Sequence, residues 1–484
     1  MALSPSTLAN TAAAPAPEPP AGWGQLLGRP HGLTALALTG AVAMHAINVH
    51  IVTTILPSVV QEIGGLAWYA WSTTLFVVAS IIGAALSVRL LRRGGARGAM
   101  LAGLLVFGLG SLLCATASTM PMLLLGRAVQ GLGGGAVGAL SYTLIRLVFP
   151  PALWPRAIGL ISAMWGVATL SGPAVGGLFA QAGHWRLAFG ALLPLLVLQM
   201  LLVHRQLAPQ RLLRSTPAQG GGIAGLQIAM LALSVLLVAA ASVVSDALWQ
   251  WLVGVAGVLA GVAAIRHERR ASRRLLPQGG TALGQPLGML YAAVALLLMG
   301  TMTEVFVPYL LQHLHGLQPL TAGYVTALLA GGWSVASVLF SGKSGAAGRR
   351  LMVIGPVLCT LALVLLALAM PWQGIEALVV CGIALAVLGL GVGMAWPHVL
   401  NAIMHSASAQ EADSAASGIT TVQLYGMAVG AALVGLVANA LGLTALADPV
   451  ALGRSAVWLF AVFALFPALG AWSLWRFLRG QQLG

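Results

Sequence analysis

The sequence predicts an all-α integral membrane protein: two six-helix bundles with an inserted two-helix hairpin, fourteen transmembrane helices in all. Three observations predict it. The chain of 484 residues is 59% hydrophobic and only 7% charged, against about a quarter charged for soluble domains. Its apolar residues gather in runs long enough to cross about 30 Å of hydrocarbon as helices. And when fourteen such runs are laid across a bilayer, 20 of the 23 Lys and Arg residues fall on one side. The net charge of +14 would otherwise suggest nucleic acid. Here 22 of the 23 basic residues are Arg and most flank hydrophobic runs, the pattern of the positive-inside rule. The expected partner is the lipid bilayer and no nucleic acid.

In chain order, residues 1–30 are rich in Pro and Ala and read as a disordered cytoplasmic tail. They lack the basic start and apolar centre of a cleavable signal. Six spans follow, near 33–58, 69–91, 99–118, 121–144, 157–181 and 187–204, giving an N-terminal bundle over 31–204. Residues 205–283 hold cytoplasmic loops and the inserted hairpin, whose spans near 222–244 and 248–265 are separated by a short turn at Asp246. The last six spans, near 287–312, 321–342, 350–371, 376–404, 416–441 and 454–478, form a C-terminal bundle over 284–484.

Charge decides that the hairpin is two helices. Arg89, Arg92, Arg93 and Arg97 follow the second span, Arg146 and Arg156 the fourth, and Arg205, Arg211 and Arg214 the sixth. Arg266, Arg269, Arg270, Arg273 and Arg274 follow the eighth, and Lys343, Arg349 and Arg350 the tenth. Only Arg186 and Arg454 fall on the other side. That asymmetry needs an even number of crossings before residue 266 and places both termini in the cytoplasm; the expected location is the plasma (inner) membrane. Six, two and six is the arithmetic of a transporter with parallel halves. A weak internal echo agrees: Gln130-Gly-Leu-Gly-Gly-Gly-Ala in the fourth span matches Leu388-Gly-Leu-Gly-Val-Gly-Met-Ala in the twelfth.

Arg127 is the only charge in the stretch 121–140. A guanidinium inside a bilayer costs roughly 2.5–3.5 kcal/mol on insertion scales, which makes it a functional candidate by default. Gly131/Gly135 and Gly134/Gly138, four residues apart, let a neighbouring helix approach closely. Arg127 and Gln130 would then point into the bundle. In the fifth span, Gly166-Val-Ala-Thr-Leu-Ser-Gly172-Pro173-Ala-Val-Gly176-Gly177 combines a proline bend with a flat face for another helix.

Leu123-x-x-x-Arg127-x-x-Gln130-Gly131-x-Gly133-Gly134-x-Ala136 resembles a fourth-helix motif of the major facilitator superfamily. The Gly166–Gly177 run resembles the motif marking its drug:proton antiporters. Further fragments are similar to the fourteen-span branch of those exporters: His184-Trp185-Arg186-Leu-Ala-Phe189, Val307-Pro308-Tyr309-Leu-Leu-Gln312-His-Leu-His-Gly316 and Ala416-Ser417-Gly418-Ile. The resemblance runs from about residue 40 to 478. It implies the major facilitator fold and gives Arg127 a role in proton transfer; an arginine that holds the bundle through backbone carbonyls is the competing role. Three positions depart from the pattern. Asn48 stands where the branch has aspartate in its first helix. In Leu86-Ser-Val88-Arg89-Leu-Leu-Arg92-Arg93, the loop's basic residues remain but Val88 replaces its aspartate and Leu91 its glycine, so the usual carboxylate–arginine latch cannot form there.

Glu304 is the only carboxylate well inside a predicted span. Burial disfavours the charged form of a carboxyl, so it is the first candidate for proton coupling or for pairing with a cationic substrate. His45, three residues before Asn48 and on the same helix face, is a second candidate, since histidine titrates near neutrality; His50 points roughly the opposite way. The cysteines, Cys114, Cys359 and Cys381, are odd in number and lie in apolar runs, so neither disulfides nor a metal site is expected.

Enzyme patterns fail on inspection. Gly131-Leu-Gly133-Gly-Gly-Ala136 imitates a dinucleotide fingerprint, but no strand precedes it and no acid follows until Asp246. Gly342-Lys343-Ser344 has Ser337 where a phosphate loop needs Gly. No cofactor and no ATP hydrolysis are expected. The expected function is proton-coupled efflux of drugs or other amphipathic organic compounds by a monomeric secondary transporter. The alternatives are export of one endogenous metabolite, such as a siderophore, and an uncoupled uniporter or sensor.

Overall fold

A computed structural model describes residues 22–207, 224–443 and 448–482. Of the predicted tail over 1–30, residues 1–21 lie outside these, and Trp23–Leu27 forms a short helix, α1, whose Leu26 is fully buried. Most of the loop expected after residue 205, with Arg211 and Arg214, also lies outside the described residues.

The N-terminal half contains α2 (Gly32–Ile63), α3 (Trp71–Ala115), α4 (Met120–Val148), α5 (Trp154–Gln181), and the successive short helices α6 (Trp185–Gly190) and α7 (Leu192–Gln206). Next come α8 (Gly225–Ala241) and α9 (Ala247–Arg270), the latter capped by Asp246, which accepts from the Trp249 backbone N–H at 3.0 Å. The C-terminal half contains α10 (Pro286–Thr301), a 3₁₀ turn at Met302–Val305, α11 (Val307–His315), α12 (Pro319–Phe340), α13 (Gly345–Ala369), α14 (Ile375–Ser406), α15 (Ala412–Ala440) and α16 (Pro449–Gln482). Among the described residues, twelve helical segments are long and apolar enough to cross a membrane, and α8, at 17 residues, is a shorter apolar helix.

Sequence explains where these helices begin and bend. Prolines open α4, α5, α10, α11 and α12, where a missing N–H costs nothing. The 45-residue α3 is not one straight rod: its backbone leaves helical geometry at Gly95, with φ 65° and ψ −174°, a conformation that favours glycine. Arg89, Arg92 and Arg93 occupy the turns just before this break and are exposed. Arg97, just beyond it, donates to the Leu207 carbonyl at 2.6 Å and so ties the break to the end of α7.

Small residues then set the packing. A Cβ on Gly131 or Gly135 would lie 2.2 or 2.1 Å from the carbonyl oxygens of Phe76 and Ser80 on α3. One on Gly133 would meet Phe107, further along α3, at 2.2 Å. The C-terminal half repeats the scheme. Gly389 and Gly393 of α14 press on the Leu329 and Trp333 carbonyls of α12, and Gly391 on Gly355 of α13. The echo seen in sequence is therefore a repeated way of packing one helix between two others. It differs in one respect: the charge and amide of Arg127 and Gln130 have no counterpart in the second half, where the buried Leu385 and Leu388 occupy the same places relative to the glycines.

The core is continuous at one end and divided at the other. A large buried cluster joins the C-terminal half to the arginine-poor end of the N-terminal half, through Ile51, Ile55, Tyr69, Leu123 and Trp185. The arginine-rich end of the N-terminal half has a separate core, including Leu38, Leu104, Leu144 and Ile161, made only of its own residues. α8 packs between α3 and α15: Ile228 and Val235 join Phe76, Val77 and Ala428 in a third cluster.

Candidate functional site

Two polar groupings stand out inside the bundle. The first surrounds Arg127, which is 2% exposed. Its Nη1 donates to Gln130 Oε1 at 2.5 Å and its Nε donates to the Ser72 carbonyl at 3.3 Å. Its guanidinium carbon lies 4.1 Å from the Phe76 ring centroid, close enough for a cation–π attraction. Gln130, one helical turn on, spends its amide N–H groups on Asn48 Oδ1 and Ser111 Oγ, both at 2.9 Å. The glycine packing of α4 on α3 makes this possible, because it brings Arg127 and Gln130 within reach of both ends of α3. The network thus links α2, α3 and α4 without a carboxylate, and Asn48 Nδ2 is left unpaired.

His45 borders the network. It stacks on Phe76 with ring centroids 5.3 Å apart and meets Trp165 of α5 edge-on at 6.2 Å. Its Nδ1 is buried, has no partner and faces Gly134, where a Cβ would lie 2.3 Å away. His45 and Asn48 meet Gly134 and Gln130 of α4, whereas His50 meets Gly172 of α5.

The second grouping is a recess between the halves. Glu304 lies in the 3₁₀ turn that interrupts the α10–α11 segment. It lines the recess with His50, Thr53 and Thr54 of α2, Pro173 of α5, and Thr326 of α12. Glu304 therefore shares a recess with His50, apart from the hydrogen-bonded network of Arg127. His50, Thr54 and Thr326 were missed. For His50 and Thr54 the signal was the helical phase of α2, which sends His50 toward α5; Thr326 on α12 carried none, because a target on a distant segment is invisible in sequence.

The Gly166–Gly177 run works as a seam beside this recess. A Cβ on Gly172 would strike His50 Cβ at 2.3 Å; one on Gly176 would meet Ile51 and Ile55; one on Gly177 would lie 2.5 Å from Leu320 Cα on α12. Gly323 of α12 in turn packs on Thr54 and Pro173. Gly166 has open space around it and takes no part. The seam continues through Tyr69, which stacks on Phe306 at 4.8 Å, and through Asn439 Nδ2, which donates to the Ala67 carbonyl at 2.9 Å. At the same end Arg186 forms an ion pair with Glu62 at 2.5 Å and donates to the Ala117 carbonyl, while Trp185 Nε1 donates to Glu62 at 2.7 Å. This fixes α6 to α2 and to the end of α3.

Comparison with known proteins agrees with this architecture. The family model described as Major Facilitator Superfamily matches residues 36–221 and 212–431. A "Probable multidrug-efflux transporter" of Mycobacterium tuberculosis is 39% identical over 458 residues, covering 91% of this chain and 94% of the relative. "Multidrug resistance protein 3" of Bacillus subtilis is 26% identical, covering 83% and 78%. Among solved structures, a peptide transporter of the POT family superposes with TM-score 0.68 at 16% identity, over 94% of this chain and 95% of that one. The nucleoside transporter NupG gives TM-score 0.64 at 10% identity, over 92% and 99%; these two establish the fold alone. A membrane-embedded, all-helical chain with repeated halves, matched over most of its length by the family model and by a relative at this identity, belongs to the Major Facilitator Superfamily.

Proposed function

We propose that this protein exports drugs or other amphipathic organic compounds by alternating access, with the movement coupled to protons. The observation that carries the reading is the recess between the halves, where Glu304, on a broken helix of one half, faces His50 and Thr54 of the other. An intramembrane carboxyl at a moving interface can exchange a proton or pair with a cation in one arrangement of the halves and be sealed in the other. The divided core supports a conformation closed at the arginine-poor end and separable at the arginine-rich end. The names of the relatives from M. tuberculosis and B. subtilis support drugs as the substrate class.

Fourteen crossings fit this reading. At about 1.5 Å per residue, the 45 residues of α3 far exceed one bilayer, so its two arms on either side of Gly95 each cross. α8 and α9 form the inserted hairpin between bundles at 31–204 and 284–484. The arginine-rich end, with both termini, then faces the cytoplasm of a cell whose inner membrane holds the protein, and one copy suffices because the path lies within one chain. In this scheme Arg127, Gln130, Asn48 and His45 hold the N-terminal half in register and tune the proton path, while Gly172, Pro173, Gly176 and Gly177 form the external seam. Arg89, Arg92 and Arg93 hold the cytoplasmic loop.

The test is efflux from proteoliposomes with and without a proton gradient. Glu304→Gln is expected to remove the dependence on the gradient. Efflux that needs no gradient and is indifferent to Glu304→Gln would instead make the protein a uniporter, a reading favoured by the absence of any carboxylate in the Arg127 network. A susceptibility panel of toxic compounds, with and without the gene, separates drug export from export of a single metabolite such as a siderophore.

A further inference from the structure

The loop between α9 and α10 encloses a pocket that the transport path does not use. It is lined by Glu268, Arg269, Arg274, Gln278, Thr281 and Gln285, among others. Glu268 is only 6% exposed. Its Oε1 accepts from the backbone N–H groups of Leu275 and Leu276 at 2.5 and 2.9 Å, which folds the loop over it, but its Oε2 has no partner. A buried carboxylate oxygen left unpaired is costly and calls for a donor.

The two arginines beside it are fixed by their own hydrogen bonds. Arg269 donates through Nε and Nη2 to the side chain and carbonyl of Thr281, at 3.1 and 2.5 Å. Arg274 donates to the carbonyls of Ala271 and Arg269, at 3.3 and 3.2 Å. Both remain exposed, with further N–H groups that no described residue takes. Cationic donors and an anionic acceptor therefore share one pocket.

The helix leading into it indicates where a ligand comes from. Val255, Val258, Leu259, Val262 and Ile265 of α9 are exposed, and only 17% of the most apolar stretch of that helix is buried. Val258, Val262, Ile265 and Arg269 follow one another at spacings of four, three and four, so they lie along a single face. An apolar stripe that faces hydrocarbon thus ends at Arg269, at the mouth of a pocket holding both signs of charge. A soluble anion would have no use for the stripe.

We propose that this pocket binds the headgroup of a phospholipid that carries both a phosphate and a primary ammonium, a phosphatidylethanolamine. The phosphate meets Arg269 and Arg274, the ammonium meets Glu268 Oε2, and the acyl chains lie along the Val258–Ile265 stripe. Lipid bound here would brace the loop that joins the α8–α9 pair to the C-terminal half.

The test is native mass spectrometry of the full chain, released from detergent with defined mixtures of phosphatidylethanolamine, its trimethylated analogue phosphatidylcholine, and phosphatidylglycerol. The wild type should retain phosphatidylethanolamine about tenfold better than either competitor, the scale of one charge-assisted hydrogen bond. Glu268→Gln keeps an acceptor for Leu275 and Leu276 but replaces Oε2 with a donor, so it should lose that preference while still binding phosphatidylglycerol. Arg269→Ala with Arg274→Ala should lower retention of all three. Equal retention of phosphatidylethanolamine and phosphatidylglycerol by the wild type would reduce the pocket to a general anion site and overturn the proposal. An unchanged preference in Glu268→Gln would do the same. Thermal unfolding of each variant separates loss of lipid from loss of fold.

Discussion

Arg127 carries a charge into the bundle with no counter-charge beside it among the described residues, and its surroundings show how that is tolerated. Gln130, the Ser72 carbonyl and the face of Phe76 each take part of the guanidinium's demand. Both the predicted role in proton transfer and the competing structural role draw on this arrangement. Lysine has one compact head in place of the planar fork whose separate Nε and Nη1 reach the Ser72 carbonyl and Gln130. Arg127→Lys is therefore expected to keep the protein foldable but lower efflux by about tenfold, roughly the worth of one hydrogen bond to a charged group; transport assays on equal amounts of purified protein check this. Asn48→Asp should retain the bond from Gln130, remove the orphaned Nδ2 and give the Arg127 network the carboxylate it lacks. Its melting temperature is expected to hold or rise, and a fall of several degrees would show that the network rejects the charge. Arg127 was conspicuous in sequence because it is expensive where it stands. What lies near Glu304 is not legible in the same way, because His50 and Thr326, which line its recess, stand on other helices far along the chain.

Among the elements, α4 separates what spacing predicts from what packing uses. Both Gly131/Gly135 and Gly134/Gly138 have the four-residue spacing, yet they meet different surroundings. Gly131 and Gly135 press on the α3 backbone and Gly134 on His45, while Gly138 has nothing within 4 Å. Backbone cannot move aside as a side-chain tip can. Gly135→Val should therefore destabilise the protein by about 1–3 kcal/mol, the usual cost of overpacking, whereas Gly138→Ala should be neutral. Thermal denaturation in detergent compares the two. The α10–α11 segment teaches the complementary lesson. Its sequence reads as one span, and the 3₁₀ turn at Met302–Val305 places Glu304 at the interruption, where side chains can face the other half.

For the whole molecule, the closed end depends on contacts between segments far apart in sequence: Gly177 with Leu320, Gly323 with Thr54, Tyr69 with Phe306. A side chain at Gly177 would have to displace the α12 backbone. Gly177→Leu is expected to hold the seam open and so expose Thr54 to reagents from the arginine-poor side. A Thr54→Cys reporter with an impermeant thiol reagent should label faster in the Gly177→Leu background, and equal rates would show that this contact does not close the molecule. The native cysteines, Cys114, Cys359 and Cys381, are buried and free, so they should contribute little labelling.

Composition, the lengths of the apolar runs and loop charge determined by themselves that this chain is a helical membrane protein, because hydrocarbon thickness, backbone satisfaction and the sidedness of basic loops are each read directly from local sequence. The motifs around Arg127 and Pro173 were legible for the same reason: an isolated charge and a glycine-rich face are costly or useful wherever they stand in a span. Only the tertiary structure decided which side chains meet. The recess that joins Glu304 to His50, the carboxylate-free network of Arg127, and the pocket around Glu268 all depend on the relative placement of helices. Inside a bilayer that placement is set by close packing of small residues rather than by hydrophobicity, and one sequence read by itself does not say which small faces will pair.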